Sequence, residues 1–139
     1  MIEFSLHGNS SRYKGKGWKE NPNIRYSDIA TFEAEMNLNV TNAMERDGYV
    51  FKMRVHPLIS AFNMPYKTLS LFANGVNVGK WKFDRDDFKE VSCKIPAEIL
   101  NHKRLNLRFV VEVPEHFAHD EGVNINAKFA VDKMQIVYQ

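Results

Sequence analysis

Between residues 13 and 26 the chain brings Tyr13, Trp18 and Tyr26 together with Lys14, Lys16, Lys19, Glu20 and Arg25. The stretch is too rich in Gly and Asn to read as core strand. Aromatic side chains on the loops of a β domain form a platform for a sugar: a pyranose ring stacks its C–H face on indole or phenol, while its hydroxyls need planar amide, carboxylate and guanidinium partners. On that reading Trp18 and Tyr26, with Tyr13 beside them, are the stacking groups, and Glu20, Arg25 and Asn9 are the polar partners. The competing reading has the same aromatics tuck under the loop and complete the core. Trp81, two residues from Phe83 in KWKF, shares the ambiguity and leans towards packing.

Other chemistry finds less support. The sequence holds no Gly-rich phosphate loop, GxSxG elbow or HExxH helix. His116, His119, Asp120 and Glu121 crowd one segment, EHFAHDEG, but ligands three apart converge on a metal only if the loop folds back and a second segment supplies the rest. A solvated loop is the simpler reading, and no metal or other cofactor is expected. The single Cys93 shares the apolar phase of FKEVSCKI with Val91 and Ile95, which predicts a buried, inert thiol. Asp86 and Asp87 follow Arg85 after a strand, where turn chemistry explains them better than a glycosidase pair. Asn9-Ser10-Ser11 and Asn39-Val40-Thr41 are formal glycosylation sequons. The start, MIEFSLHGNSSRY, lacks the basic and apolar regions of a signal peptide, so a cytoplasmic location is expected.

The elements that would carry these residues are strands. ATFEAEMNLNV places Phe32, Ala34, Met36, Leu38 and Val40 on one face, with Glu33, Glu35, Asn37 and Asn39 on the other. The same alternation puts Tyr49, Phe51, Met53 and Val55 together in YVFKMRV, and Leu105, Leu107, Phe109, Val111 and Val113 together in LNLRFVVEV. Asn74-Gly75 inside TLSLFANGVNVGKWKF signals a two-residue type I′ hairpin, which needs positive φ twice. Further strands are expected at IEFSL, FKEVSCKI, VNINAKF and DKMQIVY, about eight or nine in all. One helical turn is expected in PAEIL, from Pro96 to Leu100. Residues 7–28 read as an irregular segment, and a polar stretch of that length in a compact domain is either disordered or functional.

With 139 residues, 44% of them hydrophobic, the chain predicts one domain over residues 1–139. The expected fold class is all-β: an antiparallel β-sandwich, jelly-roll-like, with a small closed barrel as the alternative. A formal net charge of +2 spread along the chain gives no concentrated face for nucleic acid, and no apolar run is long enough to span a membrane.

At Phe4-Ser5, Gly8-Asn9-Ser10, Tyr13, Gly17-Trp18, Glu20 and Tyr26-Ser27, then in VNVGKWKF, the Ile95-Pro96 turn and the Leu105 to Phe109 strand, the sequence resembles a family. This is an all-β, carbohydrate-binding-module-like domain appended to bacterial glycosyltransferases and other surface-polysaccharide biosynthesis proteins. The sequence departs from that pattern at Tyr26, where the family has Trp, and in VPEHFAHDEGVNINAKF near the last strands. The resemblance implies a non-catalytic module that binds glycan or polysaccharide, partnered with a glycosyltransferase domain or protein. The competing class is a structural or assembly module, in which a sheet face mediates a protein contact or a homo-oligomer.

Overall fold

The computed structural model describes residues 2–3, 18–20, 27–29, 33–39, 48–59, 65–99, 104–114 and 129–138. Among them are ten strands: β1 (Ile2–Glu3), β2 (Trp18–Glu20), β3 (Ser27–Ile29), β4 (Glu33–Asn39), β5 (Tyr49–His56), β6 (Lys67–Ala73), β7 (Val76–Phe83), β8 (Lys89–Ile95), β9 (Arg104–Glu112) and β10 (Phe129–Tyr138). They build a six-stranded sheet in the order β2-β3-β10-β5-β8, with β1 also beside β10, and a four-stranded sheet in the order β4-β9-β6-β7. Every pairing is antiparallel. The architecture is the expected β-sandwich.

The alternating strands do what their pattern dictates. Ala34, Met36 and Leu38 of β4, Phe51, Met53 and Val55 of β5, and Leu105, Leu107, Phe109 and Val111 of β9 are buried, while the residues between them are half-buried or exposed. Each large apolar side chain taken wholly out of water contributes roughly 1.5–3 kcal/mol, which is why the two apolar faces close on each other. The sheets meet at Phe51 and Phe109, ring centroids 6.3 Å apart, and again at Phe83 and Phe129, 5.3 Å apart and edge to face.

The hairpin forms at the expected residues. Asn74 and Gly75 have φ of 47° and 85°, the doubly positive pair of a type I′ turn. PAEIL supplies a single 3₁₀ turn, Ala97–Ile99, closed by the Ile99 N–H donating to the Pro96 carbonyl at 3.3 Å. Two register shifts escape the alternation rule. Val78 is the extra residue between the Leu71–Gly79 and Phe72–Asn77 pairs, and Asp132 is the extra residue between Val131–Val55 and Lys133–Arg54.

One expectation needs correction. Residues 7–28 are not wholly irregular, because Trp18–Glu20 and Ser27–Ile29 pair as short strands at the edge of the six-stranded sheet. β3 is held between β2 and β10, and β2, which ends the sheet among the described residues, needs a partner on one side only. DKMQIVY forms most of β10, which runs from Phe129 through the Asp132 bulge to Tyr138, while VNINAKF, expected as a further strand, lies outside the described residues except for Phe129. The bulge absorbs the polar residue that breaks the sequence pattern.

Trp81 packs at the sandwich margin, half-buried against the core cluster. A Cβ on Gly79 would lie 2.7 Å from both Cη2 and Cζ2 of its indole, and 3.4 Å from Cβ of Cys93. Only glycine lets the ring lie flat on β7 there. Trp81 and Cys93 thereby plug the side where the outer strands β7 and β8 approach.

Candidate functional site

The sandwich has two ends, and the one at Ile29, His56, Phe83 and Phe129 gathers the β3–β4, β5–β6, β7–β8 and β9–β10 connections. Of the sequence-expected residues, Trp18 and Glu20 reach this end on β2. Trp18 is in register with Ile29, which pairs Phe129, and Glu20 is in register with Ser27, which pairs Val131. The two therefore occupy alternate register positions on β2. Asn9, Tyr13, Arg25 and Tyr26 lie outside the described residues, as do His116, His119, Asp120 and Glu121.

A second feature of the same end was read from sequence only as a turn. Lys82, Phe83, Asp84, Arg85, Asp87, Phe88 and Lys89 line a cleft of about 300 Å³ where β7 turns into β8. Its charged residues are exposed, Phe83 is buried and Phe88 is half-buried, so an apolar wall carries a charged rim. Lys89 Nζ lies 5.7 Å from the Phe83 ring centroid.

The turn is braced by its neighbours. The Ile59 N–H donates to Asp86 Oδ1 at 2.9 Å, linking the β7–β8 turn to the residues after β5. Asp86, expected only as a turn residue, thus makes a long-range bond as well. The His56 Nδ1 accepts from the Leu58 N–H at 3.1 Å and stands 3.7 Å from the same Asp86 oxygen. Leu58 itself has φ of 55°, a left-handed conformation that costs an L residue roughly 1–2 kcal/mol. The two side chain-to-backbone bonds hold that strained corner. The Phe88 ring meets His56 edge-on at 5.1 Å and lies 4.1 Å beneath the Arg54 guanidinium. Arg54 is fixed in turn by donating from Nη1 to Asp132 Oδ2 at 2.6 Å, the bulge having aimed that carboxylate. Arg85, Asp84 and Asp87 thus project from a rigid support rather than a loose loop, and rigid placement lowers the entropy lost when a ligand binds.

Lys67 opens β6 at this end and is fully buried, its ammonium 5.4 Å from the Phe129 centroid. Cys93 lies away from the cleft on β8, where burial pushes its thiol up to about 11. It stays protonated at neutral pH, consistent with the inert thiol expected. Among the described residues, no group of three or more His, Cys, Asp and Glu is placed to hold a metal ion. No described helix is long and apolar enough to cross a membrane.

The arrangement offers carboxylates, a guanidinium and ammonium groups around aromatic walls, the set that orients hydroxyls and covers a ring's C–H face. No family model matches the chain, and no curated protein matches its sequence. Solved structures match its fold. A carbohydrate-binding module of family 36, in complex with calcium and xylotriose, superposes with a TM-score of 0.52 at 13% identity over 89% of this chain and 87% of that one. The first family 36 module of a multidomain xylanase from the hindgut metagenome of Trinervitermes trinervoides gives 0.52 at 12% identity, over 99% and 95%. The EclA C-terminal domain, a sugar-binding protein, gives 0.50 at 15% identity over 73% of this chain, which spans 64% of that chain. What the chain shares with all three is the fold of carbohydrate-binding modules.

Proposed function

We propose that the chain is a non-catalytic module that binds a glycan at the loop-bearing end of the sandwich. The observation that carries this reading is the braced cleft, where Arg85, Asp84 and Asp87 surround the Phe83 and Phe88 walls. Its volume suits a small ligand or one sugar ring rather than a macromolecular groove. Trp18 and Glu20 supply a second contact point in this proposal, with Tyr13, Tyr26, Arg25 and Asn9 completing it. Because β3, β10 and β5 separate β2 from β8, the two points are about 19 Å apart at the usual strand spacing. A single sugar cannot touch both, so an oligosaccharide is the ligand that uses them together.

The resemblance of residues 4–27 to modules of surface-polysaccharide synthesis, and the fold shared with modules named for sugars, support the same reading. In its full form the proposal sets the module beside a bacterial glycosyltransferase in the cytoplasm, holding the polymer for that enzyme.

The test is a glycan array, including bacterial surface polysaccharides, probed with the protein and with Trp18→Ala and Arg85→Ala after each variant is shown to fold. The expected result is binding that each variant weakens about tenfold, the loss of one good stacking or charged contact. Silence across the array, or binding that neither variant changes, would sink the proposal. Signals confined to polymers unrelated to bacterial surfaces would remove the biosynthetic setting and leave the module.

A further inference from the structure

The outer face of the four-stranded sheet carries a feature that neither the loop-end cleft nor the sequence pattern accounts for. Tyr66, Thr68, Ser70 and Phe72 alternate with the core residues of β6, so they form one stripe along its solvent side. In the middle of that stripe Thr68 is only 9% exposed and Ser70 3%, although they face away from the core. They are the floor of a trough. Its walls come from the neighbours in register: Thr68 pairs Lys82 and Glu112, and Ser70 pairs Lys80 and Val110. Lys80 Nζ and Glu112 Oε2 reach across the trough to 4.0 Å, each side chain 60% exposed. An ion pair that open to water is worth about 0–1 kcal/mol, so it is easily parted by an incoming ligand.

Both ends of the trough have the same construction. At one, Lys82 Nζ lies 4.5 Å from the Tyr66 ring centroid; at the other, the Arg108 guanidinium lies 4.8 Å from that of Phe72. Both rings are half-buried, so each keeps solvent-facing surface beside its cation. Tyr66 and Phe72 are six residues apart on an extended segment, about 20 Å. Across β9 the polar surface continues onto β4, with Arg108 Nη1 3.9 Å from Glu33 and the Asn106 Nδ2 donating to Asn37 Oδ1 at 3.1 Å.

We infer that this trough is a second binding surface, which takes an unbranched, uncharged glycan lying along β6. The inference rests on the reading of the chain as a glycan-binding module. With the Lys80–Glu112 pair parted, the hydroxyls of the floor and the aromatic plates at both ends match the alternating polar rims and apolar faces of a sugar chain. On this face the carboxylates of Glu112, Glu33 and Glu35, the last in register with Arg108, balance the cations Lys80, Lys82 and Arg108, so the trough offers no surplus charge to a polyanion. The length between the plates calls for several sugars rather than one, and the loop-end cleft is then a separate site.

The test uses the intact chain titrated with xylohexaose, cellohexaose and mannohexaose and with the corresponding disaccharides, followed by amide chemical shifts. At least one hexasaccharide should shift resonances of residues 66–72 and 106–112, and its disaccharide should bind at least about tenfold more weakly. Phe72→Ala should lower the hexasaccharide affinity about tenfold, and Arg108→Met, which keeps the aliphatic stem, should do the same while preserving the fold. Binding that survives both substitutions but is lost in Arg85→Ala would overturn the trough and keep the loop-end module. The absence of any shift in residues 66–72 or 106–112 with all three hexasaccharides overturns the trough as well. If array binding is also absent, the glycan-binding reading falls with it.

Discussion

Cys93 shows how one side chain's setting decides its chemistry. It is half-buried between the β7 and β8 edges, and its thiol is pushed from 9.0 up to about 11 because burial disfavours the thiolate. Between those two values the unfolded chain has released a proton that the folded chain still holds, so rising pH favours unfolding over that window. The contribution is complete below pH 9 and is lost towards pH 11. Urea titrations at pH 8 and pH 10.5 should therefore show the wild type losing more stability than Cys93→Ala. Alkylation by iodoacetamide at pH 8 should be about a hundredfold slower in the folded than in the unfolded chain, the ratio of their thiolate fractions. Equal rates would mean that the thiol is solvated. The sequence announced this inertness through the spacing of Val91, Cys93 and Ile95, and the raised proton affinity follows from the same burial.

Among the elements, the β6–β7 hairpin does more than turn the chain. Asn74 Oδ1 accepts from the Asn106 N–H at 2.8 Å, its Nδ2 donates to the Ile99 carbonyl at 2.9 Å, and its own N–H donates to the Asn106 carbonyl at 2.9 Å. The turn thus fastens the 3₁₀ segment and the start of β9 to the four-stranded sheet. Asn74→Ala should cost about 3 kcal/mol, since it removes three side-chain bonds, the third a long one from Nδ2 to the Arg104 carbonyl at 3.4 Å, and places alanine at φ of 47°. Gly75→Ala should cost only about 1–2 kcal/mol, because a Cβ there meets nothing within 4 Å and the penalty is the left-handed backbone alone. Chemical denaturation of both variants checks the order, and a Gly75 variant worse than the Asn74 variant would contradict it. The Asn-Gly pair and the alternation of β4, β5 and β9 were legible because they are local patterns. The short strands β2 and β3 were not, since β2 is held by β3 and β3 by β10, more than a hundred residues away from Trp18 in the chain. The site was legible only in part for the same reason. Arg85, Asp86 and Asp87 read as turn residues, and only the fold brings Arg54, His56 and Ile59 beside them; the near-complete burial of Thr68 and Ser70 likewise depends on β7 and β9 flanking β6, which no local pattern announces.

At the scale of the whole molecule, the two sheets are joined through side chains rather than shared strands, so their cooperativity must pass through the core. Phe51 belongs to the six-stranded sheet and Phe109 to the four-stranded sheet, both fully buried with centroids 6.3 Å apart and planes tilted by 47°. Either residue replaced by alanine should cost about 3–5 kcal/mol, the loss of a buried aromatic plus the cavity it leaves. Because the rings touch, the double variant should not cost the sum of the two: a coupling of about 0.5–1.5 kcal/mol is expected from an aromatic pair in this geometry. The cycle is measured by denaturant unfolding monitored by far-ultraviolet circular dichroism and by tryptophan fluorescence. If the sheets form one cooperative unit, both signals move at a common midpoint in every variant, and the coupling lies in that range. Additivity within about 0.3 kcal/mol, or midpoints that separate in the Phe109→Ala variant, would show sheets that fold as independent layers. A cooperative core has a functional consequence. It keeps β6 fixed relative to the β7–β8 turn, so in the proposed function the trough and the loop-end cleft present themselves to a glycan at a set distance.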